Sequence, residues 1–464
     1  MVSQQQKIQH LYLRAGFGET PAVIKQKLNT PIEKLVDELF ADSKQYRSLT
    51  LLEDPAKGKE VSNVRILIMI LRSQEQMRDL NNEWVRMIST SKAHLREKMT
   101  IFWHDHFATS TQLAYLMQIQ NNTLRKNALG KFDKLLHAIA RDPAMIIYLN
   151  NQQNKKDAPN ENFAREVMEL FTLGEGNIYT EKDIKEAARA FTGWTVNKKG
   201  EFEIVDKDHD NDEKEFLGRK GNFNGDDIIN MLLEEKQTSR YVVTKIYKEF
   251  VSDIVDADRV EKLTEDFYTG GFDISKLMRS IYTSDWFYEE KNIGAKIMSP
   301  VELLIRYKSL IALDFKEDKA QLNLQKVLGQ ILFFPPNVAG WPGGRNWVDS
   351  ATLMLRMNFP TRIVQGGGLD IRPKPEFEDA PEDENVLKSK KKAEVISDWS
   401  KIVNVFKNVK KEELTETVLQ YFIQAPKNNI DTALIEQYID NSTDEKRIIS
   451  TVGIVMSLPE FQLI

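Results

Sequence analysis

The chain has 464 residues, of which 41% are hydrophobic and 29% are charged, a composition typical of a globular protein. Its 64 basic and 69 acidic residues give a net charge of −5, which offers no general attraction for nucleic-acid phosphates. Because the chain has no cysteine, disulfides, thiolate nucleophiles, zinc ribbons and iron–sulfur clusters are excluded.

The amino-terminal stretch MVSQQQKIQHLYLRAGFG has no apolar core of signal-peptide length. A run of about 18 apolar residues, which a membrane-spanning helix needs, occurs nowhere in the chain. We therefore expect no membrane span, and a cytoplasmic location is the default expectation.

Helical periodicity dominates from the first residues onward. Thr20 and Thr30 each precede a proline and begin a short helix, and residues 61–91 and 127–151 continue the pattern with broad apolar faces. We predict a mainly α fold: a large multi-helix, bundle-like body with one short β-hairpin at about residues 201–218 and long Pro/Gly loops.

The first stretch with chemical potential is KMTIFWHDHFATS, residues 98–110, which places two of the six histidines among aromatic residues. On a regular helix His106 shares a stripe with apolar residues, whereas His104 lies about 200° around the axis. The two imidazoles therefore cannot bind one metal ion unless the helix opens. Each is either a hydrogen-bonded core histidine or one wall of a buried polar site.

The second stretch, residues 159–194, predicts two helices. Asn160 suits the first N-cap, and Thr180 with Asp183 forms a capping box for the second. Glu166 and Glu169 either belong to a solvated face of ion pairs or point inward, where carboxylates facing an imidazole could bind a divalent ion or act as a general acid and base.

Two further stretches carry polar groups on loops. The predicted hairpin has an acidic turn, DKDHDNDE, with His209 at its tip, but the turn lacks the twelfth-position glutamate of a calcium loop. FFPPNVAGWPGGRNWVD is a Pro/Gly loop that feeds a helix beginning near residue 349. It is either a tight structural corner or an anion site assisted by Arg345.

Composition divides the chain into three predicted parts. Residues 367–395 are rich in glycine, proline and charge, which is typical of a connecting segment. We therefore predict a helical core domain over residues 1–366, a flexible charged connection over 367–395, and a C-terminal helical region over 396–464 that packs back on the core.

Together these stretches resemble the bacterial domain-of-unknown-function 1800 (DUF1800) family. The resemblance rests on HLYLRAGFG, REKMTIFWHDHF, NENFAREVMELFTLGEGNIYTEKDIKEAARAFTGW, HDNDEKEFLG, PPNVAGWPGGRNW and SLPEFQL, which occur in the expected order. It implies a mainly α-helical protein from a family whose members are often exported. It also implies a protein partner from a second uncharacterised, sulfatase-like family that is often encoded nearby.

The family pattern groups polar residues that are distant in sequence, and we weigh two functions for them. The first is an enzyme with a histidine–carboxylate site for hydrolytic or acid/base chemistry. Its predicted catalytic residues are His104, His106, Glu166, Glu169 and His209. Its predicted ligand-binding residues are Asn160, Glu161, Arg165, Arg189, Asp210, Trp341 and Arg345. A divalent metal ion (zinc, manganese or iron) would be bound by His104, His106, Glu166 and Glu169.

The alternative function is a non-catalytic binding or assembly protein. It predicts that the polar motifs only lock helices together and that an exposed apolar patch lies around Trp341 or Trp347. A DNA-binding helix-turn-helix at residues 160–194 is disfavoured, because the joining turn is long and glycine-rich and the second helix carries Asp183 and Glu186.

Overall fold

The computed structural model describes residues 2–368, 371, 393–427 and 430–464. The chain is mainly α-helical, as predicted. The first ten helices are α1 (Gln4–Ala15), α2 (Pro21–Lys27), α3 (Ile32–Asp42), α4 (Asn63–Thr90), α5 (His94–His106), α6 (Ala114–Asn127), α7 (Phe132–Ala140), α8 (Pro143–Tyr148), α9 (Asn162–Glu169) and α10 (Glu181–Ala190).

The second half of the chain continues with helices of similar length. They are α11 (Gly225–Glu234), α12 (Lys236–Phe250), α13 (Ala257–Thr269), α14 (Ile274–Thr283), α15 (Pro300–Ile311), α16 (Asp318–Leu328), α17 (Ser350–Val364), α18 (Ser400–Phe406), α19 (Leu414–Phe422), α20 (Thr432–Gln437) and α21 (Asp444–Met456). In the described residues, no helix has the length and apolar composition that crossing a membrane requires.

Several helix starts follow directly from the sequence. The Thr20 side chain accepts a hydrogen bond from the Val23 amide, with Pro21 in the first turn of α2. The capping box of Thr180 and Asp183 forms at α10, and the Asp349 side chain caps α17. These caps satisfy amides that have no partner within their own helix.

The predicted hairpin over residues 201–218 is wrong in its strand pairing. Residues 202–204 and 214–216 are extended, but each pairs with a different neighbour. The strands are β1 (Trp194–Val196), paired with β2 (Phe202–Ile204), and β3 (Lys214–Phe216), paired with β4 (Arg219–Gly221). A third antiparallel pair joins β5 (Asp314–Phe315) to β6 (Val395–Ile396).

Tight turns explain the different pairing. Leu217 and Gly218 both have positive φ, +47° and +76°, which suits a two-residue turn between β3 and β4. Between β1 and β2, the Asn197 side chain accepts hydrogen bonds from the amides of Lys199 and Glu201. Such short turns close adjacent segments at a lower entropic cost than the long acidic turn would.

Two apolar cores lie on either side of α5. The first is formed by side chains of α1–α3, α5, α7 and α9–α14, and includes Trp103 and Phe132. The second is formed mainly by α4 and α15–α21, and includes Trp84 and Tyr307. Since α5 touches both cores, opposite faces of this helix are buried.

The three predicted parts of the chain remain a prediction. α21 packs against α17, α18 and α19, so the C-terminal helices share the second core with α15 and α16. The predicted connection over residues 367–395 lies mostly outside the described residues.

Candidate functional site

The two histidines of α5 face opposite cores. His104 is buried and its Nε2 accepts a hydrogen bond from the Phe333 amide at 3.0 Å. Its ring lies 5.3 Å from Trp84 and 5.7 Å from Trp341, between ring centroids. Burial, aided by Arg125, lowers the pKa of His104 to about 3, so this imidazole is neutral at physiological pH.

His106 is buried in the first core. Its Nε2 lies 3.2 Å from the Phe171 carbonyl oxygen, to which the ring donates its N–H. Burial is the main cause that holds the pKa of His106 well below its ordinary value, and Lys245 adds to the effect. Both histidines are therefore uncharged groups that fasten α5 to backbone on either side.

The predicted meeting of these imidazoles with acidic oxygens is not found. Each imidazole binds one backbone group through Nε2, and among the residues that the structure describes Nδ1 of neither ring has a hydrogen-bond partner. Within the described ranges, no group of three or more histidine, aspartate or glutamate side chains is arranged to hold a metal ion. The four predicted metal ligands, His104, His106, Glu166 and Glu169, are thus not brought together.

The carboxylates of α9 lie around Arg165 instead. Arg165 forms ion pairs with Glu161 and Glu169, both at 3.2 Å, and with Glu181 at 2.8 Å. Glu166 is half-buried, and burial followed by the neighbouring Glu169 raises its pKa. This cluster ties α9 to the start of α10.

A second polar cluster holds the β3 segment against α10. Arg189 forms ion pairs with Asp210 at 2.7 Å and with Glu186 at 2.9 Å. His209 lies beside them, with Nδ1 2.8 Å from the Thr192 carbonyl oxygen. These predicted site residues therefore form a local brace between α10 and the segment before β3.

The other predicted ligand-binding residues are spread over separate places. The Asn160 side chain accepts a hydrogen bond from the Asn162 amide at 3.0 Å, which supports the start of α9. Arg345 is exposed. Trp341 is buried against His104, so it is the one predicted ligand-binding residue that packs directly on the histidine helix.

Asp105, between the two histidines, is the group that sequence reasoning missed. It is half-buried, and its Oδ1 accepts a hydrogen bond from the Trp341 amide at 2.7 Å. Oδ2 receives no hydrogen bond from any residue in the described parts of the chain. Burial raises the pKa of Asp105 to about 7, against the lowering effects of the Trp341 amide and Lys245.

The Pro/Gly loop can reach Asp105 only because residue 340 is glycine. Gly340 has φ +82°, and a Cβ there would lie 2.6 Å from the Asp105 carbonyl oxygen and closer still to Oδ1. Farther along the loop, Gly344 has φ +55°, and its Cβ would lie 3.2 Å from Asp253. Gly340 and Gly344 thus allow the loop to approach two carboxylates closely.

Beneath the Pro/Gly loop, a row of charged residues runs from Asp105 along α12 and the segment that follows this helix. Lys245 and Glu249 are four residues apart on α12 and so lie on one side of it, and Asp253 follows just after the helix ends. Burial lowers the pKa of Lys245, while Asp105 partly restores it. Lys245 forms no ion pair within 4.0 Å in the described portion of the chain, and its Nζ lies 5.6 Å from the centre of the Tyr241 ring.

Buried cations support the far end of this row. Lys296 lies 3.0 Å from Asp253 and 3.8 Å from Glu249. Lys98, seven residues before Asp105 on α5, forms a buried ion pair with Glu302. We call Asp105, Lys245 and Glu249, together with the overlying Trp341 amide, the Asp105 site.

The chain was also compared with known proteins. It matches the family described as "Protein of unknown function (DUF1800)" over residues 10–463. No curated protein and no solved structure matches it.

Proposed function

The chain belongs to the DUF1800 family of proteins of unknown function, and we propose that it is an enzyme that performs acid/base chemistry at the Asp105 site. The observation that supports this function is the half-buried carboxyl group of Asp105, whose Oδ1 is held by the Trp341 amide while Oδ2 has no hydrogen bond within the described residues, and whose pKa is raised to about 7 by burial. A general acid or base works best when its pKa lies near the operating pH.

The roles within the proposed site follow from the contacts. Trp341 fixes Oδ1 of Asp105 through its amide, so Oδ2 is the oxygen that exchanges the proton with a substrate. Lys245 is a half-buried cation with a lowered pKa and no ion-pair partner in the described residues, so it is suited to binding a negatively charged group of the substrate.

In this proposal the predicted catalytic histidines are positioning residues. His104 and His106 flank Asp105 in the chain and bind backbone at Phe333 and Phe171, respectively. Their lowered pKa values keep them uncharged, so they orient α5 without exchanging protons near neutral pH. A substrate that gains or loses a proton at neutral pH, including an ester undergoing hydrolysis, fits this arrangement.

The test compares hydrolysis of p-nitrophenyl esters, phosphates and glycosides by wild type, Asp105→Asn and Asp37→Asn. Asp37 is a solvent-exposed carboxylate paired with Arg279 on the surface, so it controls for loss of one negative charge. We expect Asp105→Asn to lower the rate by about 100-fold or more. The wild-type rate should change as the pH passes through about 7, where Asp105 titrates. The Asp37→Asn variant should keep the wild-type rate and the same dependence on pH.

Two results would count against the proposal. One is an activity that survives Asp105→Asn with its pH profile unchanged. The other is inactivity of wild type on the whole panel together with normal titration of Asp105 near pH 4, because the carboxyl group would then be an ordinary surface acid.

The binding or assembly function is a second candidate, although its predicted surface is not exposed. Trp341 and Trp347 are both buried, at 7% and 8% exposure. A group of exposed apolar side chains does lie on α4, and it supports a different docking surface.

A further inference from the structure

The amino-terminal half of α4 presents apolar side chains to solvent. Val64, Leu67, Ile68 and Leu71 are 68%, 56%, 45% and 74% exposed, and their spacing places them on one face of the helix. We call these four residues the α4 stripe. Contiguous exposed apolar patches of this kind mark interaction surfaces in soluble proteins.

The same helix is firmly anchored by its other half. Met77, Leu80, Trp84 and Ile88 are buried in the second core. The stripe is therefore held in position by a rigid helix. A preformed helix face lowers the entropic cost of docking a partner.

Two arginines line one edge of the stripe. Arg65 and Arg72 are seven residues apart, and neither forms an ion pair within 4.0 Å with any residue that the structure describes. By contrast, Arg78 and Arg86 on the same helix pair with Asp79 and Glu83. Residues 63–74 contain no acidic residue, so this edge is positively charged.

We propose that the α4 stripe docks an amphipathic helix of a partner protein that carries acidic residues along one edge. Apolar residues of the partner at positions i, i+3, i+4 and i+7 would pack on the stripe. Its acidic edge would face Arg65 and Arg72, and complementary charges of this kind favour one partner and one orientation. This surface is independent of the Asp105 site.

The positive charge of the arginine edge favours an acidic partner helix over a second copy of this chain. In an antiparallel two-fold pairing of α4 with itself, the same edge of each helix meets its copy, so Arg65 and Arg72 would face arginines. An anionic membrane surface is also a poorer match, because the chain carries a net charge of −5 and Glu75 continues the line of the stripe one turn after Leu71.

The test uses the full chain and two synthetic 18-residue helical peptides in fluorescence anisotropy. Both peptides carry leucines at i, i+3, i+4 and i+7; one has glutamates along one edge and the other has lysines there. We expect the wild-type protein to bind the glutamate peptide at least tenfold more tightly. The Leu67→Gln/Leu71→Gln variant should lose at least tenfold in affinity, and Arg65→Glu/Arg72→Glu should reverse the preference.

The matched control is Ile254→Gln, which removes a side chain that is 84% exposed outside α4 and should leave binding unchanged. Since all altered side chains are exposed, unchanged circular dichroism verifies folding. Equal binding of both peptides would overturn the proposal. So would a dimer of the protein alone that Leu67→Gln/Leu71→Gln dissociates, or stripe-dependent binding to phosphatidylglycerol vesicles without peptide discrimination.

Discussion

Replacing Gly340 with alanine tests how the Pro/Gly loop meets Asp105. A residue other than glycine at φ +82° costs about 1–2 kcal/mol of backbone strain. The new Cβ would also lie 2.6 Å from the Asp105 carbonyl oxygen, so the loop must retreat. Retreat breaks the 2.7 Å hydrogen bond from the Trp341 amide, and a hydrogen bond to a charged group contributes about 1.5–3 kcal/mol.

We therefore expect Gly340→Ala to lower the free energy of unfolding by about 3–4 kcal/mol, measured by urea denaturation with circular dichroism. The pKa of Asp105 should also fall towards its ordinary value, because burial is the main cause that raises this pKa and the retreating loop exposes the carboxyl group.

Gly343→Ala is the matched control for this prediction. Gly343 has φ +64°, but an added Cβ there meets no atom within 4 Å. Its substitution should cost only the backbone strain, about 1 kcal/mol, and leave the pKa of Asp105 unchanged. If the two alanine variants were equally stable, the close approach of Gly340 to Asp105 would be refuted.

Three further predictions concern pH and charge. The pKa of Asp105 is higher in the folded chain than in the unfolded chain. Its protonated form therefore contributes stability that is complete below pH 4 and is lost as the pH rises to about 7. Asp105→Asn should therefore gain stability over wild type across that window, by up to about 1.4 kcal/mol per pH unit in urea denaturation. The pH dependence of His104 runs the other way: its contribution to stability is complete above pH 6.5 and is lost as the pH falls towards 3. His104→Gln keeps an acceptor for the Phe333 amide, so it should make stability less dependent on acid pH. An acid unfolding transition identical to that of wild type would contradict the buried, neutral state of His104. Arg165→Gln should lower the free energy of unfolding by about 1 kcal/mol at low salt and by less in 1 M sodium chloride, because salt screens the half-exposed ion pairs of Arg165 with Glu161, Glu169 and Glu181. A loss of stability that does not depend on salt would show that packing of the Arg165 side chain dominates.

Local features of the fold were predictable because their causes are local. The capping box of Thr180 and Asp183 needs only residues three apart, and the helix that begins after Asp349 follows the same principle. The predicted strand pairing was wrong because each extended segment pairs with a neighbour across a shorter connection, residues 197–201 or residues 217–218. The positive φ at Leu217 gave no signal, since that residue type rarely adopts it.

The candidate site was predictable only in part. Reading residues 98–110 as a helix correctly separated His104 from His106, but it did not predict that the two histidines face different cores. That helix touches two cores, so both faces are buried and both histidines are neutral. The burial of Asp105 depends on Trp341, which lies 236 positions away in the chain, and helical periodicity cannot reveal such a contact.

One weak signal of the Asp105 site was present in the sequence. Lys98 and Asp105 are seven residues apart, which places two charges on one face of a helix with many apolar residues. Charges on a buried helix usually have partners or functions. The same reasoning applies to Lys245 and Glu249, four residues apart on α12.

The most direct test of the proposed function is the titration of Asp105 itself. In protein labelled with carbon-13 at the aspartate carboxyl carbons, the Asp105 resonance is assigned by its disappearance in Asp105→Asn and followed from pH 3 to pH 9. A midpoint near 7 is expected, and it should move upward in Lys245→Met, because Lys245 lowers the pKa of this group. A midpoint near 4, unchanged by Lys245→Met, would contradict a buried acid/base group at this position.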